Sequence, residues 1–313
     1  MSEQNKPFFS IVIPVFNRSQ LVQPAIESVL EQTFSNWELL IIDDASTDDT
    51  VLVIEEYCKK DERIKLFCQP YNQERGAARN KGIELSKGKY VCFLDSDDSF
   101  RNNHLQTFFD AIDKNPKPSL RFTNSYLVVN NSPMTEKIVP VIDSWNVFEY
   151  LLIYTPNPAR VCVDKSILQE FNFDPTIPGL EDIDLWLRIA TKHPLQQIQA
   201  FTNIYFVHQG SYTLGDAKRY QKELKNFTLI FRKPELQGKL PFWGKRRLLS
   251  MCCFHLSQQA MVANEGEKAF RFAFRSVVLY PRGYNGKTNK IAFVTMLYTI
   301  PILGKIFRNI MTK

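Results

Sequence analysis

The sequence predicts an α/β fold, with a mostly parallel central sheet carrying helices on both faces and a helical, basic C-terminal region. Three observations predict it. Over the first hundred residues, β-branched and aromatic runs with no polar alternation take turns with helical patterns. Each of those runs stops at a cluster of polar residues, as strands do when their carboxyl ends meet at one edge of a sheet. From residue 241 onward there are 12 Lys/Arg against only Glu265 and Glu267, so this part carries +10 and the first 240 residues carry −4. Such segregation points to an acidic ligand site in one part and an anionic surface partner in the other.

The elements follow in order. "FFSIVIPVF" (8–16) reads as a buried strand stopped by Asn17, and a helical pattern runs from Leu21 to Gln32. "WELLIIDD" (37–44) is the second strand, and Ser46 or Asp48 suits the cap of a helix reaching about Lys60. "IKLFCQ" (64–69) is the third, and "ERGAARNKGIELSKG" (74–88) reads as a helix closed by Gly88. "YVCFLD" (90–95) is the fourth, followed by a helix near 102–114. Beyond it the pattern mixes: a strand at 120–130, a helix at 145–155, a Pro/Gly loop running into a helix over 174–193, and a strand at 197–210. From about Lys218 the chain reads as helical and basic.

Composition sets further bounds. The 313 residues, 44% hydrophobic and 23% charged, suit one large domain with or without an appendage. The six cysteines form no CxxC pair and read as reduced thiols of a cytosolic protein. The first residues show no signal-peptide pattern. The longest apolar run, 291–303, contains Pro301 and falls short of the roughly 20 residues that span a bilayer, so no transmembrane helix is expected. G-x-G-x-x-G is absent, and neither "GIELSKGKY" nor "GYNGKT" has phosphate-loop spacing, which removes the dinucleotide and P-loop classes.

The segment "VCFLDSDDSF" (91–100) sets Asp95, Asp97 and Asp98 directly behind the fourth strand. If 95–97 is extended, Asp95 and Asp97 point the same way, and two carboxylates on one side suit Mg²⁺ or Mn²⁺ better than zinc. Such a cation neutralises a diphosphate and stabilises it as a leaving group. The competing reading is capping of the 102–114 helix by Asp97, Asp98 or Ser99. Polar ends on the three other strands weigh against it.

Three blocks, "SIVIPVFNRSQLVQPAIESVLEQTFSNWELLIIDDASTDDT", "NQERGAARNKGIELSKGKYVCFLDSDD" and "GLEDIDLWLRI", resemble family 2 glycosyltransferases of the GT-A fold, a Rossmann-like architecture. The resemblance covers roughly residues 8–210. It implies that Pro14, Phe16 and Asn17, with Asp43 and Asp44, bind the nucleotide. In it Asp44 hydrogen-bonds the base, usually uracil. A carboxylate accepting from a base N–H and the face of Phe16 offered for stacking agree with this. The alternative for Asp43–Asp44 is a loop with helix caps. Arg79, in "ARN", matches a position beside the diphosphate, or else holds Asp44 or Asp95 in place.

Asp95, Ser96 and Asp97 match the family's D-x-D metal motif. Asp97 is expected on the metal, and Asp95 on the ribose or on the metal through water. Asp182 matches the catalytic base, with Glu181 beside it and Trp186 supporting it from the core; N-capping of the helix that follows is the alternative. Asp98 supports the metal motif from its flank. His208 matches a histidine that completes the metal or diphosphate site in many relatives, although a lone histidine after a strand also serves structure. The loop "QGSYTLGD" after it is expected to order over bound donor.

The resemblance therefore implies an inverting, metal-dependent transfer from a nucleotide-sugar donor, most often UDP-linked, to a hydroxyl of a glycan or lipid-linked acceptor, with no nucleic-acid partner. The family points to bacterial surface polysaccharide as the product. Competing readings are nucleotidyl transfer, disfavoured because "PVFNRSQ" lacks a glycine-rich signature, and a non-catalytic membrane-associated binding module. Against the latter, Asp44, Asp95, Asp97 and Asp182 are all present. The expected organisation is a catalytic domain over 1–215, with a nucleotide half at about 8–100 and an acceptor half at 101–215, then a basic extension over 216–313. In "ILGKIFRNIMTK", Ile302, Leu303, Ile306, Phe307, Ile310 and Met311 share one helical face. Such a helix lies on an anionic membrane surface, at the inner face of the cytoplasmic membrane, or packs on protein.

Overall fold

The computed structural model describes residues 6–130, 132–208, 217–263 and 265–280. The predicted loop over 209–216 and the amphipathic helix over 302–311 lie outside the described residues. The chain divides into two compact units, residues 1–211 and 212–313.

The first unit is a mixed α/β sheet. Strands β1 (Phe9–Val15), β2 (Trp37–Asp43), β3 (Ile64–Cys68) and β4 (Tyr90–Phe93) run parallel in the order β3-β2-β1-β4. β5 (Ser99–Phe100), β6 (Leu120–Val129), β7 (Thr135–Lys137), β8 (Val161–Asp164) and β9 (Leu195–Val207) extend it as β4-β8-β6-β9-β5, with β7 on β6. β8 is antiparallel to both neighbours, and β6 and β9 are parallel.

Burial on both faces explains the uninterrupted apolar strands. Phe9, Ile11, Ile13 and Val15 of β1 join one core cluster with residues of α1 (Val22–Leu30), α2 (Thr50–Lys60) and α4 (His104–Lys114). The alternate residues face α3 (Glu74–Leu85), where a Cβ on Gly82 would lie 2.3 Å from Val12 Cγ1. On that side α7 (Glu181–Ala190) packs Trp186 against Phe93 and Phe173, at ring-centroid distances of 6.3 and 5.9 Å. Each such fully buried side chain contributes about 1.5–3 kcal/mol over leaving it exposed.

Register sets the edge level. Val15, Asp43 and Cys68 are aligned across β1, β2 and β3, so three strands stop together. Pro14 sits inside β1 opposite Ile42. The ladder to β4 closes with Leu94 N–H donating to Val12 O, and residue 14 turns to that same side, beyond the last bond. Its missing N–H leaves nothing unmade.

Two local readings are corrected. α3 ends at Leu85, so Gly88 closes no helix. A Cβ there would lie 2.6 Å from Ser10 N and 2.8 Å from Phe9 C, so glycine is required by the approach of β1. The 102–114 helix starts at His104 with no side-chain cap, and Ser99 lies in β5, so the acidic turn does not cap it. Between these landmarks, α5 (Val147–Tyr154) is capped by Asn146, and α6 (Lys165–Glu170) by Asp164.

The second unit contains α8 (Ala217–Ile230), α9 (Phe242–Val262) and α10 (Gly266–Leu279). α9 and α10 form an antiparallel pair. Small residues Ala269, Ala273 and Ser276 are buried on α10, and the Ser250 and Ser276 hydroxyls meet at 3.0 Å. Tyr220 of α8 stacks on His255 of α9 at 4.6 Å. Among the described residues, no helix is long and apolar enough to cross a membrane.

Candidate active site

The level strand ends are stitched together by backbone that ordinary residues rarely adopt. Asn17 (φ 51°), Ala45 (φ 65°) and Glu74 (φ 68°) are three of the four non-glycine residues with positive φ among those described, and they follow β1, β2 and β3. Strain of this kind persists only where surrounding bonds hold it. Here Asn17 N–H donates to Ser46 Oγ (2.9 Å), Thr47 N–H donates to Asn17 Oδ1 (2.8 Å), and Ser46 N–H donates to Asp43 Oδ2 (3.0 Å). Asp43 is buried, and its Oδ1 has no hydrogen-bond partner. Phe16 stands at the mouth of these loops, 43% exposed, whereas Pro14 is enclosed in the strand.

Asp44 is also buried. Its Oδ1 accepts from Gln69 Nε2 (2.7 Å) and Gln73 N–H (2.8 Å), tying β2 to the loop before α3. Burial raises its pKa against those hydrogen bonds. Gln69 and Gln73 were not singled out from sequence. Their only signal is a polar loop at a strand end.

Behind β4 the chain turns rather than extends: Asp98 N–H donates to Asp95 O at 3.0 Å. Asp95 and Asp97 are nonetheless both partly exposed, while Ser96 and Asp98 are buried. Asp97 Oδ2 lies 3.1 Å from His208 Nε2, a residue 111 positions away that follows β9. Asp98 makes this possible, because its Oδ1 accepts from Phe206 N–H at 3.1 Å and anchors the end of β9. Burial, then Asp95 and Asp97, push the Asp98 pKa well above the usual carboxylate range. Asp97 and His208 bring two side chains of metal-ligating type together, but among the described residues no three His, Cys, Asp or Glu side chains gather where they could hold a metal ion.

The centre of the arrangement is Arg79, 1% exposed. Its Nη2 lies 2.5 Å from Asp95 Oδ1 and its Nη1 2.9 Å from Glu181 Oε1. Arg79 therefore bridges Asp95 and Glu181 and is not paired with Asp44. Glu181 also receives Arg75 Nε at 3.0 Å and Gly179 N–H at 2.5 Å. Burial alone would raise its pKa, but Arg75 and Arg79 outweigh that and hold it below the usual range.

Asp182, the next residue, is partly exposed and accepts only one short bond, from Ile183 N–H at 2.7 Å. Burial and the charge of Glu181 raise its pKa to about 7. Trp186 fixes α7 beneath it, with Nε1 donating to Pro156 O at 3.0 Å. The Arg79 bridge thus links the helix start that carries this raised carboxyl to the acidic turn. A cavity of about 770 Å³ between α3 and α6 shares Gln69 and Gln73 with this edge but none of its carboxylates, so titratable geometry marks the site better than volume does.

Residues 10–162 match Glycosyl transferase family 2. The chain is 31% identical to the UDP-Glc:alpha-D-GlcNAc-diphosphoundecaprenol beta-1,3-glucosyltransferase WfgD of Escherichia coli, over 68% of this chain and 83% of WfgD. It also matches three Rickettsia glycosyltransferases at 32–34% identity, but spans only 31–43% of their length. Among solved structures, S. aureus TarS 1-349 in complex with UDP-GlcNAc superposes with a TM-score of 0.63 at 16% identity, covering 96% of this chain and 91% of that one. The mannosyltransferase PcManGT from Pyrobaculum calidifontis, in complex with GDP-Man and Mn²⁺, gives 0.60 at 14% identity, covering 96% and 83%. At such identities the structural likeness establishes the GT-A fold. The sequence relatives show that the chain belongs to glycosyltransferase family 2.

Proposed function

We propose that this chain transfers a sugar, with inversion, from a UDP-linked donor to a hydroxyl of a glycan or lipid-linked acceptor. The observation that carries the reading is the Arg79 bridge, which joins Asp95 in the acidic turn to Glu181, the residue before Asp182. Donor-side and acceptor-side carboxylates are thereby held on one edge of one sheet. The printed substrates of WfgD and the UDP-GlcNAc complex of TarS support a UDP donor and, for WfgD, a lipid-linked acceptor. A lipid-linked acceptor implies work at a membrane surface.

In this reading Phe16 offers a ring face to the base, and the buried carboxylates of Asp43 and Asp44 shape its pocket. Asp97 and His208, with Asp95 beside them, fit a divalent cation such as Mn²⁺ or Mg²⁺. Asp97 and His208 would supply an oxygen and an imidazole nitrogen to it. Such an ion would contribute positive charge to stabilise the departing diphosphate. Asp182 accepts the proton of the acceptor hydroxyl as that oxygen attacks the anomeric carbon from the face opposite the diphosphate. Arg79 and Arg75 keep Glu181 ionised, and the Glu181 charge helps hold Asp182 near neutrality.

Nucleotide release tests this. With Mn²⁺ and a panel of UDP- and GDP-sugars, one UDP-sugar should be consumed above background, faster with lipid-linked glycan acceptors. Consumption of no sugar nucleotide by protein of native circular dichroism would count against a transferase.

A further inference from the structure

The second unit carries a surface that the transfer reaction does not use. Residues 212–313 hold 19 Lys/Arg against 5 Asp/Glu, a net +14, whereas residues 1–211 carry −8. At the start of α9, Phe242 and Trp243 are 61% and 58% exposed. At the end of α10, Phe274 and Val278, one turn apart, are 53% and 55% exposed. These two ends meet. Trp243 packs edge-on to Tyr280 at 6.2 Å, and Arg246 lies over the rings of Phe242 (5.3 Å) and Trp243 (5.9 Å). Arg246 Nε also donates to Leu279 O at 2.7 Å, closing the junction.

Single exposed apolar residues need no explanation, but aromatic and aliphatic side chains gathered at one helix junction do. Lys245 and Arg247 follow the aromatics on α9, and Arg275 follows Phe274 on α10, where Arg271 is paired with Glu267 at 2.6 Å. Rings that enter the headgroup layer, with cations alongside them, are the composition of a membrane-interface surface. A second copy of the chain is the poorer occupant, since two such surfaces would bring like charges together.

We propose that this aromatic and basic junction of α9 and α10 docks on an anionic lipid bilayer. Lys and Arg side chains near such a surface are attracted to it, and the attraction weakens as salt rises. The inference is independent of the sugar-transfer reading, and it rests on residues 242–280.

The test uses the full chain with phosphatidylcholine vesicles, with and without phosphatidylglycerol, followed by sedimentation and by tryptophan emission. The protein should partition at least about tenfold more strongly onto the anionic vesicles, with a blue shift that Trp243→Phe diminishes. The pair Phe242→Ser and Trp243→Ser should lower partitioning about tenfold, and so should the pair Lys245→Glu and Arg247→Glu, each with unchanged circular dichroism and UDP affinity. Equal partitioning onto neutral and anionic vesicles would overturn the proposal. So would undiminished binding by both paired variants, which would assign the affinity elsewhere, or self-association through this surface without vesicle binding.

Discussion

Asp182→Asn is expected to lower turnover about a thousandfold while leaving donor affinity within about twofold, the range for losing a general base with uniform binding intact. Asparagine preserves the shape and can still accept from Ile183 N–H, so the loss isolates proton acceptance. The wild-type rate should rise as pH passes about 7, where Asp182 ionises, and the residual rate of the variant should lack that rise. Stability should move the other way. A carboxyl with a raised folded-state pKa favours folding at low pH, and that advantage disappears between its ordinary value near 3.8 and about 7. Above pH 7 the wild type therefore holds a desolvated charge that asparagine does not, and the variant should melt no lower. Undiminished turnover in the variant would reassign the base.

Arg79→Leu should destabilise the protein by about 3–5 kcal/mol in urea unfolding, as expected when one member of a buried charge network is removed. Arg79 is 1% exposed and Glu181 3%, so the leucine variant leaves Glu181 buried with Arg75 as its remaining cation. Arg79→Lys should recover only part of the loss, because one ammonium cannot repeat the fork that reaches both Asp95 and Glu181. A loss below about 1 kcal/mol, the range of exposed pairs, would mean that the bridge contributes no more than a surface ion pair.

The way these residues come together explains which parts of the site were legible in sequence. β1, β2 and β4 were readable because burial on both faces leaves apolar runs, and Asn17, Asp43, Asp44 and Asp95–Asp98 because each punctuates such a run. β8 was not, since four residues between a turn and a helix carry too little periodicity. Gly88 looked like a helix terminator because its sequence context is that of a C-cap, whereas its actual constraint is the backbone of Ser10, 78 residues away.

Arg79 had several acidic residues to choose from. Its partners at 16 and 102 residues' separation are selected by the packing of α3 and α7 on one face of the sheet, which no local pattern records. Gln69 and Gln73 were hidden for the same reason: a glutamine in a loop has no signature until a buried carboxylate such as Asp44 is seen to need it. The resemblance to a known family named Asp182. The structure adds the physical reason its carboxyl titrates near neutrality.

The most direct test of the site is calorimetric titration of UDP, with GDP for comparison, with and without Mn²⁺, in the wild type and in Asp97→Ala. Manganese-dependent UDP binding that the variant loses, with GDP weaker by about tenfold or more, is the predicted result. UDP affinity that is the same with and without Mn²⁺ and unchanged in Asp97→Ala, or no binding of either nucleotide to folded protein, would contradict a nucleotide-diphosphate site at the acidic turn.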